Sequence, residues 1–179
     1  MSQTRRTFLT ASMGAALSAR LAARIQGAND RIRVGVIGTG GRGRYLMNQL
    51  KKLSGVEMTA VCNVYEPHLL QAAEIAGPGA AKISDYRRVL DDRAIDAVVV
   101  AAPDHWHRTM ALDAVAAGKD VYCEKPVCHT IDEGDAMVRA IEASTRVVQT
   151  GTQQRSWDHW KLGKEIVDSG RLGQITFVH

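Results

Sequence analysis

Three cysteines in 179 residues are too few, and too awkwardly spaced, to frame a disulfide scaffold or a zinc knuckle. Cys123 and Cys128 have four residues between them rather than two, and Cys62 and Cys123 close predicted buried strands, where a thiol serves as a small apolar side chain. His129, His159 and His179 have no acids or cysteines at ligand spacing, so no metal is expected. No apolar run approaches the roughly 20 residues of a membrane-spanning helix. Internal repeats and low-complexity linkers are missing too. Residues 1–28 contain no acid, only Arg5, Arg6, Arg20 and Arg24, and these four account for the whole formal net charge of +4. The remaining body is neutral, with 19 basic residues against 19 acidic ones. It therefore offers no basic stripe to track phosphates, which argues against a nucleic-acid partner.

What is present begins with that leader. Thr4-Arg5-Arg6-Thr7-Phe8-Leu9 has the paired arginines and following apolar pair of a twin-arginine export signal, and Phe8–Ala19 is a short, weakly apolar stretch. Arg20 and Arg24 behind it would discourage the general secretion route, and Gln26-Gly27-Ala28 is one candidate cleavage site. The expectation is export in the folded state, through the twin-arginine machinery, to a periplasmic or other extracytoplasmic location. A plain disordered or amphipathic tail is the alternative.

From Arg31 onward, strand-length apolar runs alternate with helix-period segments. Strands are expected at Ile32–Ile37, Val56–Cys62, Lys82-Ile83, Asp96–Ala102, Asp120–Cys123 and Val147–Thr150. Helices are expected at Arg42–Leu53, Pro67–Ala76, from Ser84-Asp85 to Leu90, at His105–Ala117, and from the capping box Thr130-Ile131-Asp132-Glu133 to about Ala143. The continuous apolar run at 96–102 suits a strand covered on both faces. Together these describe an α/β fold with a doubly wound parallel sheet over residues 31–151. After Gly151 the pattern changes, with a helix at about Trp157–Asp168 and a strand at Ile175–Val178. Residues 152–179 therefore read as the start of a second, α+β domain.

The first strand runs into Gly38-Thr39-Gly40-Gly41-Arg42-Gly43, which fits G-x-G-x-x-G. Gly38 permits the tight turn, Gly40 lets a pyrophosphate approach the backbone, and Gly43 lets the helix pack on the strand. The amides at the helix start then face the phosphates. A methyltransferase loop or a plain glycine turn is the competing reading; the strand before and helix after favour dinucleotide binding. The second strand ends on Asn63 where an acid would read the adenosine ribose. Asparagine still bonds a hydroxyl but does not repel a 2′-phosphate. With Arg42 and Arg44 nearby, the cofactor is NAD or NADP, with NAD favoured.

Two further clusters follow strands four and five: Ala102-Pro103-Asp104-His105-Trp106-His107 and Cys123-Glu124-Lys125-Pro126. With the glycine turn and Gly151-Thr152-Gln153-Gln154-Arg155-Ser156, their order and spacing resemble the Gfo/Idh/MocA oxidoreductases, in particular an exported bacterial branch with a twin-arginine leader. The likeness covers about Arg31–His179. It implies a Rossmann domain followed by an open-sheet domain, and redox chemistry on a sugar or polyol CH–OH group. It implies that Lys125 lies between nicotinamide and substrate as a catalytic and substrate-binding group, able to stabilise negative charge or assist proton movement. Glu124 would contact the nicotinamide ribose or orient that lysine, and Pro126 would fix the loop. Pro103, His105 and Trp106 would line the cofactor pocket, Gln153 would approach the cofactor, and Arg155 the substrate. Asp104 is read as either a helix cap or a site residue, and His107 as a first-turn helix residue. Family members run to about twice this length, so a truncated product is expected, with the group that takes the substrate proton beyond residue 179. A homo-oligomer is one assembly open to the full-length form. A glycosidase with bound NAD and a non-catalytic dinucleotide-binding fragment are the alternative functions.

Overall fold

The structure, a computed structural model, describes residues 31–177. The arginine-rich leader lies outside the described residues, as do Val178 and His179. The chain runs β1 (Ile32–Ile37), α1 (Gly41–Leu50), β2 (Val56–Cys62), α2 (Glu66–Ala76), β3 (Ala81–Ile83), α3 (Tyr86–Asp91), β4 (Ala97–Val100), α4 (His107–Ala116), β5 (Asp120–Glu124), α5 (Ile131–Glu142), β6 (Val148–Gly151) and α6 (Asp158–Asp168). Single 3₁₀ turns at Asp104–Trp106 and Gln153–Ser156 precede α4 and α6.

All six strands are parallel, in the order β3-β2-β1-β4-β5-β6. Strand order therefore reverses between β1 and β4, which opens a crevice at the carboxyl edge of the sheet. Helices α1 and α2 cover one face through Met47 and Ala72, packed on Val34, Val36 and Val61. Helices α3, α4 and α5 cover the other with Val89, Ala111, Ala114 and Met137 against Val98, Val100 and Val121. Removing each of these valines from water contributes about 1.5–3 kcal/mol. β-Branched residues suit both the pleat and this two-sided burial.

Local sequence explains the element ends. The Thr130 hydroxyl accepts from the Glu133 amide while the Glu133 carboxylate accepts from the Thr130 amide, the expected capping box. The Asp85 side chain accepts from the Arg87 amide and starts α3. Three expectations need correction. The fourth strand is shorter than 96–102: the Asp96 carboxylate accepts the Arg33 amide at its entry, and after Val100 the Ala101 amide makes a last bond to the Ile37 carbonyl before the chain bends at Ala102. The first helix stops at Leu50 rather than Leu53, and Lys51–Leu53 form turns. Residues 175–177 are not a strand. Apolar alternation suggests a strand, but only a neighbouring strand makes one.

Candidate functional site

The glycines of the β1–α1 turn divide into two kinds. Gly38 has φ +86°, and a Cβ there would lie 2.4 Å from the Ala102 nitrogen. A Cβ on Gly43 would lie 2.0 Å from the Gly38 carbonyl oxygen. These two close strand, turn and helix onto one another. Gly40 and Gly41 have no atom within 4 Å of where a Cβ would point. The floor of the turn is therefore packed and its roof is open. Helix α1 has neither a side-chain cap nor an acid in its first turn, so its leading amides and positive dipole end are left for an anion. That cradle fits a dinucleotide pyrophosphate.

The rest of the turn is pinned from beneath. Thr39 is fully buried and its hydroxyl donates to the His68 carbonyl at 3.2 Å. The Arg44 guanidinium donates to the Thr39 carbonyl at 2.7 Å. At the end of β2, Asn63 accepts the Tyr65 amide at 2.9 Å through Oδ1, so its side-chain NH₂ is the group left to donate. Gly38, Asn63, Asp85, Pro103 and Trp106 are among the residues lining an open cleft of about 460 Å³ at the switch point. His105 is exposed beside Trp106 and does not line this cleft. The Asp104 carboxylate accepts the His105 amide, and α4 has no side-chain cap.

Glu124 ends β5 and is only 3% exposed. Its Oε1 accepts from Arg42 Nε and Nη2, each at 2.7 Å, and from the Tyr122 hydroxyl at 3.3 Å. Its Oε2 accepts the Lys125 amide at 3.2 Å. Burial alone would lower the Arg42 pKa, but the Glu124 carboxylate overrides it and holds the guanidinium above its ordinary value. Burial, then the same carboxylate, raises Tyr122. Glu124 thus bonds the backbone amide of the lysine that follows it. The Lys125 side chain is exposed, and the Lys125–Pro126 peptide is cis. Gln153 and Arg155 line a separate polar hollow with Tyr122, Gln149 and Thr150. The buried Gln153 Oε1 has no protein partner there.

Three site residues escape a reading of the sequence. His107, 2% exposed, faces the Pro126 carbonyl with Nδ1 at 2.6 Å and the Ala102 carbonyl with Nε2 at 2.8 Å, tying the loops after β4 and β5 together. Tyr122 braces Glu124. Gly151 pairs with Glu124 across the ladder, and a Cβ there would sit 3.0 Å from the Glu124 carboxyl. His107 and Gly151 stood within quoted motifs of the sequence without these roles, and Tyr122 left no trace there.

Residues 32–152 match the family model described as an oxidoreductase family with an NAD-binding Rossmann fold. The chain is 37% identical over 151 residues to inositol 2-dehydrogenase 2 of Saccharopolyspora erythraea, covering 82% of this chain and 43% of that protein. It is 36% identical over 128 residues to a glycosyl hydrolase family 109 protein of Solibacter usitatus, covering 66% of this chain and 29% of the other. Among solved structures, it superposes on the Lactobacillus casei myo-inositol dehydrogenase in complex with NAD(H) and myo-inositol with a TM-score of 0.71 and 31% identity, covering 78% of this chain and 42% of that one. The chain thus spans less than half the length of these relatives.

Proposed function

The chain belongs to the Gfo/Idh/MocA oxidoreductase family, and from that premise we propose that it forms the dinucleotide-binding part of an enzyme acting on a polyol or sugar CH–OH group. The observation that carries the reading is the half-open glycine turn, packed at Gly38 and Gly43 and bare at Gly40 and Gly41. When bound, NAD supplies the nicotinamide that accepts or returns a hydride. The amides of Gly40, Gly41 and Arg42 hold the pyrophosphate, and the Asn63 side chain meets the adenosine ribose. Pro103 and Trp106 wall the adenosine side, with His105 at its rim. The Lys125 ammonium would hydrogen-bond the substrate hydroxyl and stabilise negative charge developing on its oxygen. Gln153 and Arg155 approach the nicotinamide and substrate from the neighbouring hollow. Inositols are the substrate class favoured by the names of the relatives.

Two bonds favour NAD over NADP. Arg42 is paired with Glu124 and Arg44 with the Thr39 carbonyl, so a 2′-phosphate would have to displace an existing bond to gain either guanidinium. Gly40 has φ −66°, a conformation open to any residue, so Gly40→Val fills the cradle without straining the backbone. Calorimetry should show NAD binding lost with the melting temperature unchanged; equal affinity in both chains would sink the assignment.

The leader extends the proposal to folded export through the twin-arginine route. Replacing Arg5 and Arg6 by lysine keeps the charge and removes the guanidinium pair. A reporter fusion still exported after that change would refute it. The likeness to the family 109 glycosyl hydrolase favours a second reading, glycoside cleavage with retained NAD. Aglycone release from a nitrophenyl glycoside by the protein, without net change in nicotinamide absorbance, would select it.

A further inference from the structure

Arg42 serves two places at once. As the second residue of α1 it contributes a backbone amide to the phosphate turn, while its guanidinium ends on a carboxylate 82 positions further along the chain. Glu124 has little freedom. Arg42 and Tyr122 hold one oxygen, the Lys125 amide holds the other, and Gly151 faces it from the next strand, where any Cβ would come within 3.0 Å of the carboxyl. The Arg42 side chain is 35% exposed against 4% for Glu124, so the cation is the mobile member of the pair. A pyrophosphate arriving on the α1 amides is a second anion competing for that cation. Glu124 cannot follow the guanidinium outward, so any shift of Arg42 alters the field and geometry felt by Oε2 and the peptide it holds. A ligand shifts such an arrangement only by interacting differently with its states, and the charge on Arg42 supplies that difference.

Resting on the dinucleotide reading, we propose that Arg42 is a positioning residue for Lys125, acting through Glu124, so that the Lys125 peptide registers occupancy of the phosphate turn.

ADP is the probe, because it carries adenosine and pyrophosphate but no nicotinamide to touch Lys125 directly. Amide NMR on the 179-residue chain follows Gly40, Gly41 and Lys125 as ADP is added to saturation. In the wild type all three resonances should move. In Arg42→Gln and in Glu124→Gln the Lys125 shift should shrink severalfold while the glycine shifts persist, and Arg42→Lys should restore part of it. A bond that only holds the fold together would produce no ligand-dependent shift to lose. If either single variant unfolds because a buried charge has lost its partner, Arg42→Gln with Glu124→Gln restores a neutral hydrogen-bonded pair. That double variant must also lose the response. A Lys125 amide that stays still in the wild type while the glycines move would overturn the inference and leave the dinucleotide reading intact. A Lys125 response that persists without Arg42 would overturn it equally. No movement at any of the three would bring down the dinucleotide reading itself.

Discussion

Helices α5 and α6 carry the same kind of sequence, an apolar stripe on a charged surface, and meet opposite surroundings. In α5, Met137 is 2% exposed and packs with Ile141 into the core beneath α3 and α4. In α6, Trp160 is 53% exposed, Leu162 57% and Val167 45%. A capping box opens α5, whereas α6 starts without a side-chain cap. Amphipathic spacing thus predicted both helices and said nothing about what either would cover. The stripe of α5 finds a surface because β5 and β6 return the chain over α4. Residues 152–177 have no such return among the described elements.

The largest expected effect tests this contrast directly. Met137→Ala removes a buried side chain and should cost about 2–5 kcal/mol. Leu162→Ala should change stability by no more than about 0.5 kcal/mol. Urea melts of the two variants decide it, and equal losses would mean that α6 buries its stripe in solution.

A smaller effect sharpens the same contrast through pH. Burial, the main cause, pushes Cys62, Cys123 and Tyr86 up to about 12, all within the packed region before residue 151. Unfolded, these groups lose protons near 9.0 for the thiols and 10.0 for the phenol. Between those values and about 12 the folded chain binds more protons than the unfolded one, so stability falls as pH rises. Their contribution is complete below pH 9 and erodes above it. Urea midpoints should decline steadily on the alkaline side; a flat profile would mean the thiols ionise within the fold.

The candidate site was legible where chemistry is written into consecutive residues. Gly38-Thr39-Gly40-Gly41-Arg42-Gly43 declared its turn because each glycine answers a backbone demand, and Glu124-Lys125-Pro126 stood where a strand ends. It was illegible where a partner lies far along the chain. Arg42 read as a neighbour of the ribose, and nothing in its own segment announced that it is the counter-ion of Glu124. Thr39 stood in the phosphate turn as a candidate contact to the cofactor, and its hydroxyl is bonded to the His68 carbonyl. His107 read as an ordinary helix start, yet both ring nitrogens face carbonyls of different loops.

By itself the sequence determined the period of each segment, the turn that must follow β1, and the family to which those motifs point. Each is set by backbone sterics and side-chain pattern within a few residues. Only the tertiary structure decided strand order, the division of the glycines into packed and open, and the commitment of Arg42 to Glu124. Those depend on which elements the crossovers bring together, because a buried carboxylate takes whatever cation the fold delivers.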